Sequence, residues 1–310
     1  MSAEKSLDSA LSVALAEGTF TFTGELEPAR STDVARLIKA ARKVKGSVVA
    51  CNVPDNCQSM GRLSSIAASH IIERETGVET VCHLRCSDRN RLALQSDLLG
   101  AWALGLRNVL AITGDHTSLG DLPGTMPVYD LDSTQLVDMI SRMDEEGCDL
   151  EGNPIEGPPR LFVGVAANPN ADPLEPEVLK LVRKQIAGAR FAQTQAVFDM
   201  ETVDRFLDMA RDKGVTIPIL IGLLPLRSFA AAEGFDACVP GVSIPEELMD
   251  RLRTARNLTR DQQHQAYDAI NLEFFGDLLA DIRKTKAAGA HIMAVGYEDM
   301  IVRLIEAAGV

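Results

Sequence analysis

Short apolar runs alternate along the chain with longer segments in which apolar residues recur at helical spacing. The runs predict strands at residues 20–26, 47–53, 79–84, 109–113, 161–166, 191–198, 217–222 and 291–295. Helical spacing covers residues 32–43, 61–75, 88–104, 133–145, 176–187, 203–213 and 260–286. Strands that alternate with helices, without a break in composition, predict a single α/β domain over residues 1–310, a (β/α)8 TIM barrel with extra helices. A doubly wound parallel sheet is the alternative.

Two of the predicted helices have local features that the structure can test. Residues 1–18 have the pattern of a charged amphipathic helix. In the helix over residues 88–104, Asp88 is expected to cap the first turn. The residues expected to share one face of that helix are Leu92, Gln95, Leu99 and Trp102.

Composition narrows the classes of protein to consider. With 310 residues and 46% hydrophobic residues, the chain is large enough to bury a substantial core. Its net charge of −13 argues against a nucleic-acid partner or an anionic membrane surface, because both bind basic surfaces. No apolar run approaches the roughly 20 residues of a membrane span, and the amino terminus lacks a signal-peptide core, so we expect a cytoplasmic protein. The 6 cysteines are irregularly spaced, as expected for reduced thiols. Because no two of them have CxxC spacing, no metal site is expected.

Residues 108–116, written NVLAITGDH, are the clearest site candidate in the local pattern. A buried strand stops at Gly114 and delivers Asp115 and His116 to its carboxyl end, where barrel enzymes have their active sites. A turn that caps the next segment explains the same residues equally well. The long loop over residues 116–132 leaves this end of the barrel, whereas the loop over residues 147–160 leads into the amino end of the fifth strand.

Polar residues stand at many of the predicted strand ends. They are Glu25, Glu27, Asn52, His83, Thr113, Asp115, His116, Asn168, Gln193 and Gln195. A buried polar group without a hydrogen-bond partner costs roughly a few kcal/mol of stability. So many polar residues at the strand ends therefore indicate that they face a polar ligand. Three cations on the helix after the fifth strand, Lys180, Arg183 and Lys184, fit either a phosphate site or a solvated helix face. The chain has no GxGxxG, Walker, HExxH or GxSxG motif, so its chemistry is expected to depend on a bound cofactor with one or two carboxylates.

Five segments at successive strand ends resemble the methylenetetrahydrofolate reductases. They are GELEP at residues 24–28, HLRC at 83–86, GD at 114–115, TQAVFD at 194–199 and GLLP at 222–225. Each is weak alone, but together they occur in the family's order over nearly the whole chain. The resemblance implies a short bacterial form without a regulatory domain, a flavoprotein barrel that reduces 5,10-methylenetetrahydrofolate to 5-methyltetrahydrofolate.

The resemblance also implies roles for three carboxylates and one amide. Glu25 matches the general acid that helps open the methylene bridge. Glu27 is the alternative, because the two-residue period of a strand places it on the same face. Asp115 matches the aspartate that lies near both flavin and pterin. Gln195 matches the glutamine that contacts the pterin, so Gln195, Asp115 and Glu27 form the expected folate-binding set.

Further positions match contacts to the flavin, with FAD as the expected cofactor and FMN as the alternative. The expected flavin-binding residues are Asn52, His83, Thr113, Gly114, Asp115, Tyr129 and Asn168, with Lys180, Arg183 and Lys184 near the ribityl and phosphate end. The chain departs from the family at Leu26, Ala196 and Val197, where aromatic residues are common. Residues 294–297 also differ, which leaves the adenine end of the cofactor open.

Partners and competing functions remain open in the sequence. The electron donor is expected to be NAD(P)H or a partner redox subunit. The protein is expected to form a homo-oligomer or a hetero-complex. A flavin-free folate-binding barrel is one alternative, either of methyltransferase type or as a reductase that takes hydride directly from NADH. A subunit of a larger electron-transfer complex is another.

Overall fold

Eight parallel strands close into a barrel in chain order in a computed structural model that describes residues 8–239 and 241–309. The strands are β1 (Thr21–Glu25), β2 (Ala50–Val53), β3 (Thr80–Arg85), β4 (Asn108–Ile112), β5 (Phe162–Ala167), β6 (Phe191–Ala196), β7 (Ile219–Leu223) and β8 (Gly289–Ile292). Because β8 pairs with β1, the sheet is closed, which confirms the TIM barrel and excludes the doubly wound alternative.

Eleven α-helices cover the barrel in the same described ranges. They are α1 (Ala10–Ala16), α2 (Ala35–Val44), α3 (Ser65–Thr76), α4 (Arg91–Ala103), α5 (Ser133–Glu145), α6 (Glu175–Ile186), α7 (Met200–Asp212), α8 (Phe229–Cys238), α9 (Glu246–Ala255), α10 (Arg260–Ile282) and α11 (Asp299–Ala307). The predicted extra helices are therefore confirmed, and α8, α9 and α11 are the three whose bounds the sequence pattern did not give. Residues 1–7 of the predicted first helix lie outside the described residues.

The last strand lies earlier in the chain than the apolar run at residues 291–295 predicts. β8 begins at Gly289, which is paired with Thr21 of β1. A Cβ atom on Gly289 would lie 2.0 Å from the Thr21 carbonyl oxygen, so only glycine permits this close approach. The strand thus starts where the backbones meet and not where the large side chains begin.

The start of α4 corrects the prediction made for Asp88. The cap is Asn90, whose side chain accepts a hydrogen bond from the Ala93 amide at 3.0 Å. Asp88 instead forms ion pairs with Arg85 at 2.7 Å and Arg89 at 3.0 Å. Two arginines thus hold the carboxylate away from the helix start.

The buried face of α4 also differs from the predicted one. Leu92 is 75% exposed, whereas Leu94, Leu98 and Ala101 are buried. The 4-3 spacing of these three residues is an equally good helical stripe, and barrel packing selects it. The periodicity gave the helix correctly but not its orientation.

Helix α1 closes the amino-terminal end of the barrel. Its buried residues Leu11 and Leu15 pack in one cluster with residues near the strand starts, Ala50, Val81, Leu110, Phe191 and Leu220. The Glu79 carboxylate accepts hydrogen bonds from the backbone amides of Ala10 at 2.7 Å and Leu11 at 3.0 Å. A ligand therefore has to reach the barrel interior from the carboxyl ends of the strands.

No helix within residues 8–239 or 241–309 is both long enough and apolar enough to cross a membrane.

Replacement of Leu11 by Ala tests whether α1 stabilises the barrel. Leu11 is fully buried, so its truncation is expected to lower the free energy of unfolding by about 2–5 kcal/mol. The matched control is Val13→Ala, since Val13 lies on the same helix and is 43% exposed. Urea denaturation followed by circular dichroism measures both variants. Equal effects of the two substitutions would show that α1 does not pack as a plug.

Candidate active site

The carboxyl ends of the strands surround a cavity of about 430 Å³, which we call the central cavity. This volume is in the range of small-molecule sites, roughly 300–1,000 Å³. Nine of the predicted site residues line it: Glu25, Asn52, His83, Thr113, Gly114, Asp115, Asn168, Lys184 and Gln195. The barrel therefore brings most of the polar strand ends together.

A second cavity of about 330 Å³, the side cavity, shares part of its wall with the central cavity. The residues that line both are Glu25, Cys57, Asp115, Gln195 and Met293. The rest of the side cavity is mainly apolar, with Leu224, Phe235, Val239, Val242 and Val295 in its wall. A polar site and an apolar slot thus meet at two carboxylates and one amide.

Glu25 and Glu27 have different environments although both line the side cavity. Glu25 ends β1, and its Oε2 lies 3.7 Å from Nε2 of His291. Glu27 forms an ion pair with Arg62 at 2.9 Å and accepts a hydrogen bond from Sγ of Cys57 at 2.8 Å. Only Glu25 also lines the central cavity.

Asp115 is held by the loop that follows β2. The backbone amide of Gln58 donates to Oδ2 of Asp115 at 3.0 Å, and the Ser59 hydroxyl donates to its carbonyl oxygen at 2.9 Å. Gln58 and Ser59 both have φ of 54°, a left-handed conformation that is uncommon for these residue types. This strained loop conformation holds one carboxylate oxygen of Asp115 in place. No pattern in the sequence indicated the contact.

His116 leaves the site that Asp115 joins. Its exposed side chain accepts a hydrogen bond from the Ser118 amide at 3.2 Å and caps the 3₁₀ turn Thr117–Leu119. Asp115 therefore lines the central cavity, whereas His116 caps a turn.

The turn between Asp115 and β4 depends on Gly114. Its φ is 89°, and a Cβ atom there would lie 2.5 Å from the Ser87 hydroxyl oxygen. The Tyr129 hydroxyl donates to the Gly114 carbonyl oxygen at 3.3 Å. Thr113, one residue earlier, accepts from the Ser133 amide at 3.1 Å. Tyr129 thus supports the turn from outside, and the residues that line the central cavity do not include it.

The three predicted cations on α6 are not equivalent. Lys184 lines the central cavity, and its Nζ donates to the Ala166 carbonyl oxygen at 2.7 Å. Burial lowers the pKa of Lys184. Lys180 is exposed and pairs with Glu177 at 3.5 Å, and Arg183 is also exposed. One cation of the three therefore lines the central cavity.

Buried polar side chains form a connected chain across the barrel interior, which we call the polar chain. It consists of His83, Asn52, Gln193, Thr23 and His291, from β3, β2, β6, β1 and β8. Asn52 and Gln193 form two amide-to-amide hydrogen bonds of 2.6 and 3.1 Å. Because each member has a partner, the barrel avoids the cost of unpaired polar groups beneath the central cavity.

The sequence pattern did not single out two members of the polar chain. Thr23 precedes Glu25 by two residues on β1, so the alternation of a strand places both on the interior face. His291 stands in the apolar run HIMAV, where it looks like an isolated core histidine. The only signal available in the sequence was that, in a closed barrel, the strand of His291 pairs with β1.

His83 is neutral at physiological pH. Burial lowers the pKa of its imidazole to about 4. Nε2 of His83 therefore accepts the hydrogen bond that Nδ2 of Asn52 donates at 2.8 Å. The ring acts as an acceptor at one end of the polar chain.

The chain is similar to known proteins of one family. The family model described as methylenetetrahydrofolate reductase matches residues 10–309. The 5,10-methylenetetrahydrofolate reductase of Escherichia coli strain K12 is 28% identical over 242 residues, 76% of this chain and 74% of that protein. A Caenorhabditis elegans protein named "Probable methylenetetrahydrofolate reductase (NADPH)" is 30% identical over 208 residues, 66% of this chain but only 28% of that protein's length.

A solved structure has the same fold. Its title describes an uncharacterized protein from Clostridium thermocellum that binds two copies of 5-methyl-5,6,7,8-tetrahydrofolic acid. The TM-score is 0.65 at 16% identity, covering 97% of this chain and 98% of that one. At this identity the likeness establishes the barrel.

The depressed pKa of His83 predicts a pH-dependent stability. Between pH 6.5 and 4 the unfolded chain binds a proton at His83 that the folded chain does not, so the free energy of unfolding falls as the pH falls through this window. The full loss is about 3 kcal/mol. Urea unfolding at pH 7, 6, 5 and 4 measures this loss against His83→Gln, whose amide oxygen can still accept from Asn52. A variant with the same pH slope as the unmodified protein would contradict the assignment.

Proposed function

The chain belongs to the methylenetetrahydrofolate reductase family, and we propose that it reduces 5,10-methylenetetrahydrofolate to 5-methyltetrahydrofolate by hydride transfer from a reduced flavin. The observation that carries this proposal is the shared wall of the two cavities. Glu25, Asp115 and Gln195 line both the central and the side cavity. A cofactor in one and a substrate in the other would meet at groups able to donate a proton and to stabilise a cation.

The residues of the central cavity fit a flavin. Thr113, Asn168 and Gln195 offer hydrogen-bonding groups for the polar edges of an isoalloxazine ring and a ribityl chain. Lys184 offers a cation for a phosphate. Ala166 and Ala167 supply an apolar surface for a flat ring. When bound and reduced, the flavin supplies the hydride. We propose FAD, with FMN as the alternative that the single cavity-lining cation of α6 would suit.

The side cavity fits the folate. Its apolar wall suits the aromatic parts of the substrate, and Gln195 at the shared wall offers an amide to the pterin edge. Phe235 of α8 supplies an aromatic ring on this wall. The aromatic residues that the family often has near the positions of Leu26 and Ala196 therefore have a counterpart from a different element.

Glu25 is the proposed general acid. Its carboxyl group would protonate the bridging nitrogen of the substrate, directly or through a water molecule, so that the methylene carbon becomes an electrophilic iminium. Glu27 is less suited to this role because Arg62 and Cys57 already occupy its carboxylate. Glu27 instead contributes to the wall of the folate slot.

Asp115 is proposed to stabilise the positive charge that develops on the substrate. It lines both cavities, and the Gln58 amide fixes the position of its Oδ2. A carboxylate held in place before the reaction stabilises a developing cation without having to reorganise. The same negative charge would lower the reduction potential of a neighbouring flavin.

We propose that residues 1–310 act as one catalytic domain in the cytoplasm, with NAD(P)H or a partner redox subunit as the electron donor. A homo-oligomer and a hetero-complex both remain compatible with this proposal. The competing functions are a flavin-free folate barrel and a subunit of a larger electron-transfer complex.

The visible spectrum of the purified protein distinguishes these functions. We expect the absorption bands of a bound flavin, and chromatography of the released cofactor identifies FAD or FMN. A colourless protein that oxidises NADH with 5,10-methylenetetrahydrofolate would be a flavin-free reductase. A colourless protein that binds folate without turnover would favour the methyltransferase type, and an inactive single chain that gains activity with a partner would favour a complex subunit.

Replacement of Glu25 by Gln tests the general acid. The variant is expected to bind flavin and to be reduced normally by dithionite, while its oxidation by 5,10-methylenetetrahydrofolate slows by about a hundredfold or more. Anaerobic stopped-flow absorbance measures this half-reaction alone. The matched variant is Glu27→Gln, for which we expect a much smaller loss because Arg62 already neutralises that carboxylate. The opposite order of the two effects would transfer the role to Glu27.

A further inference from the structure

The polar chain ends next to the proposed acid, and its last link is the pairing of β1 with β8. Thr23 and His291 are register partners across these strands, and their side chains meet at 3.0 Å between Oγ1 and Nδ1. On its other side, Nε2 of His291 lies 3.7 Å from Oε2 of Glu25. His291 is 3% exposed, so its ring is largely shielded from bulk solvent.

The hydrogen bonds of Thr23 favour the tautomer of His291 that carries its proton on Nε2. Nε2 of Gln193 donates to Oγ1 of Thr23 at 3.1 Å, so the hydroxyl oxygen acts as an acceptor there. The single hydroxyl proton of Thr23 is then free to be donated to Nδ1 of His291. A neutral imidazole that accepts at Nδ1 carries its proton at Nε2, on the side of Glu25.

The hydrogen bonds at the other end of the polar chain fix the orientation of the Gln193 amide. Nδ2 of Asn52 donates both to Nε2 of His83 at 2.8 Å and to Oε1 of Gln193 at 2.6 Å, which uses both of its protons. Gln193 therefore presents its Nε2 to Thr23. Because His83 is neutral and accepts, the sequence of donors runs from Asn52 through Gln193 and Thr23 to His291.

We propose that His291 is the positioning residue of Glu25, with its Nε2–H directed at Oε2 of the carboxyl group by the polar chain. This inference rests on the proposed function of Glu25. The separation of 3.7 Å exceeds that of a direct hydrogen bond, and catalytic hydrogen bonds often shorten when substrate binds.

The consequence for the reaction concerns the carboxylate that proton transfer leaves behind. Glu25 gives its proton to the bridging nitrogen, the N–H bond forms as the O–H bond breaks, and the carboxylate then accepts the Nε2–H of His291. A hydrogen bond that is stronger to the charged form of an acid favours its loss of a proton in the transition state. Solvent returns the proton to Glu25 after the product leaves.

Several other titratable groups lie near Glu25. His83 of β3 and the thiol of Cys57 both interact with its charge. Glu27 and Asp115 line the side cavity with it. These groups are the same in every variant described below, so differences between variants isolate the contribution of residue 291.

Two substitutions separate positioning from packing. In His291→Asn, the amide oxygen can take the place of Nδ1 and still accept from Thr23, but nothing reaches Glu25. In His291→Gln, the longer amide can place an N–H near the position of Nε2. We expect the Asn variant to lose about tenfold to a hundredfold in the rate of flavin oxidation by 5,10-methylenetetrahydrofolate, and the Gln variant to recover most of it.

The pH profile of the same single-turnover rate gives a second readout. The profile is expected to change in His291→Asn, because the hydrogen bond from residue 291 to the Glu25 carboxylate is lost. Reduction of the enzyme by dithionite is the internal control, and His264→Asn, on the exposed face of α10, is the control variant. Asn and Gln variants with equal losses and an unchanged profile would show that His291 only fills space.

A spectroscopic test does not depend on turnover. The chain has 5 histidines, so nitrogen-15 spectra of the imidazole rings are assignable from single substitutions. We expect His291 in the Nε2–H form in the unmodified protein and a mixture of tautomers in Thr23→Val, which lacks the hydroxyl donor. A pure Nδ1–H form in the unmodified protein would overturn the proposal. If the unmodified protein shows the expected tautomer but reduces no folate, the proposed function fails and the positioning does not.

Discussion

The pairing of β1 with β8 is the constraint on which the rest of the structure depends. It closes the sheet, and it requires a glycine at residue 289, because the backbone of Thr21 leaves no room for a side chain there. Closure fixes the register of Thr23 against His291. It thereby also decides which side chains enter the barrel and which of them stands beside Glu25.

A closed barrel with polar residues in its interior has to satisfy them internally. The amides of Asn52 and Gln193 bond to each other twice, and the remaining donors and acceptors are taken by His83 and Thr23. Each such group left unpaired would cost about 1–3 kcal/mol. The network therefore serves stability first, and its fixed direction is what makes it useful to a neighbouring carboxyl group.

The chemistry proposed for the family member follows from where the two cavities meet. A carboxyl group able to give a proton and a carboxylate fixed by the Gln58 amide both stand at the shared wall. The polar central cavity and the apolar side cavity suit ligands of different character. Helix α1 blocks the opposite end of the barrel, so both ligands would enter from the same face.

The sequence by itself determined the order of strands and helices and the ring of polar strand ends, because hydrophobic period and strand-end polarity are local properties. Only the tertiary structure decided which face of α4 is buried, which cation of α6 lines the central cavity, and that Asp115 joins the site while His116 caps a turn. These depend on contacts between elements far apart in the chain. The partnership of His291 with Glu25 is the clearest case, since 266 positions separate them and only closure of the barrel joins them (291 − 25 = 266).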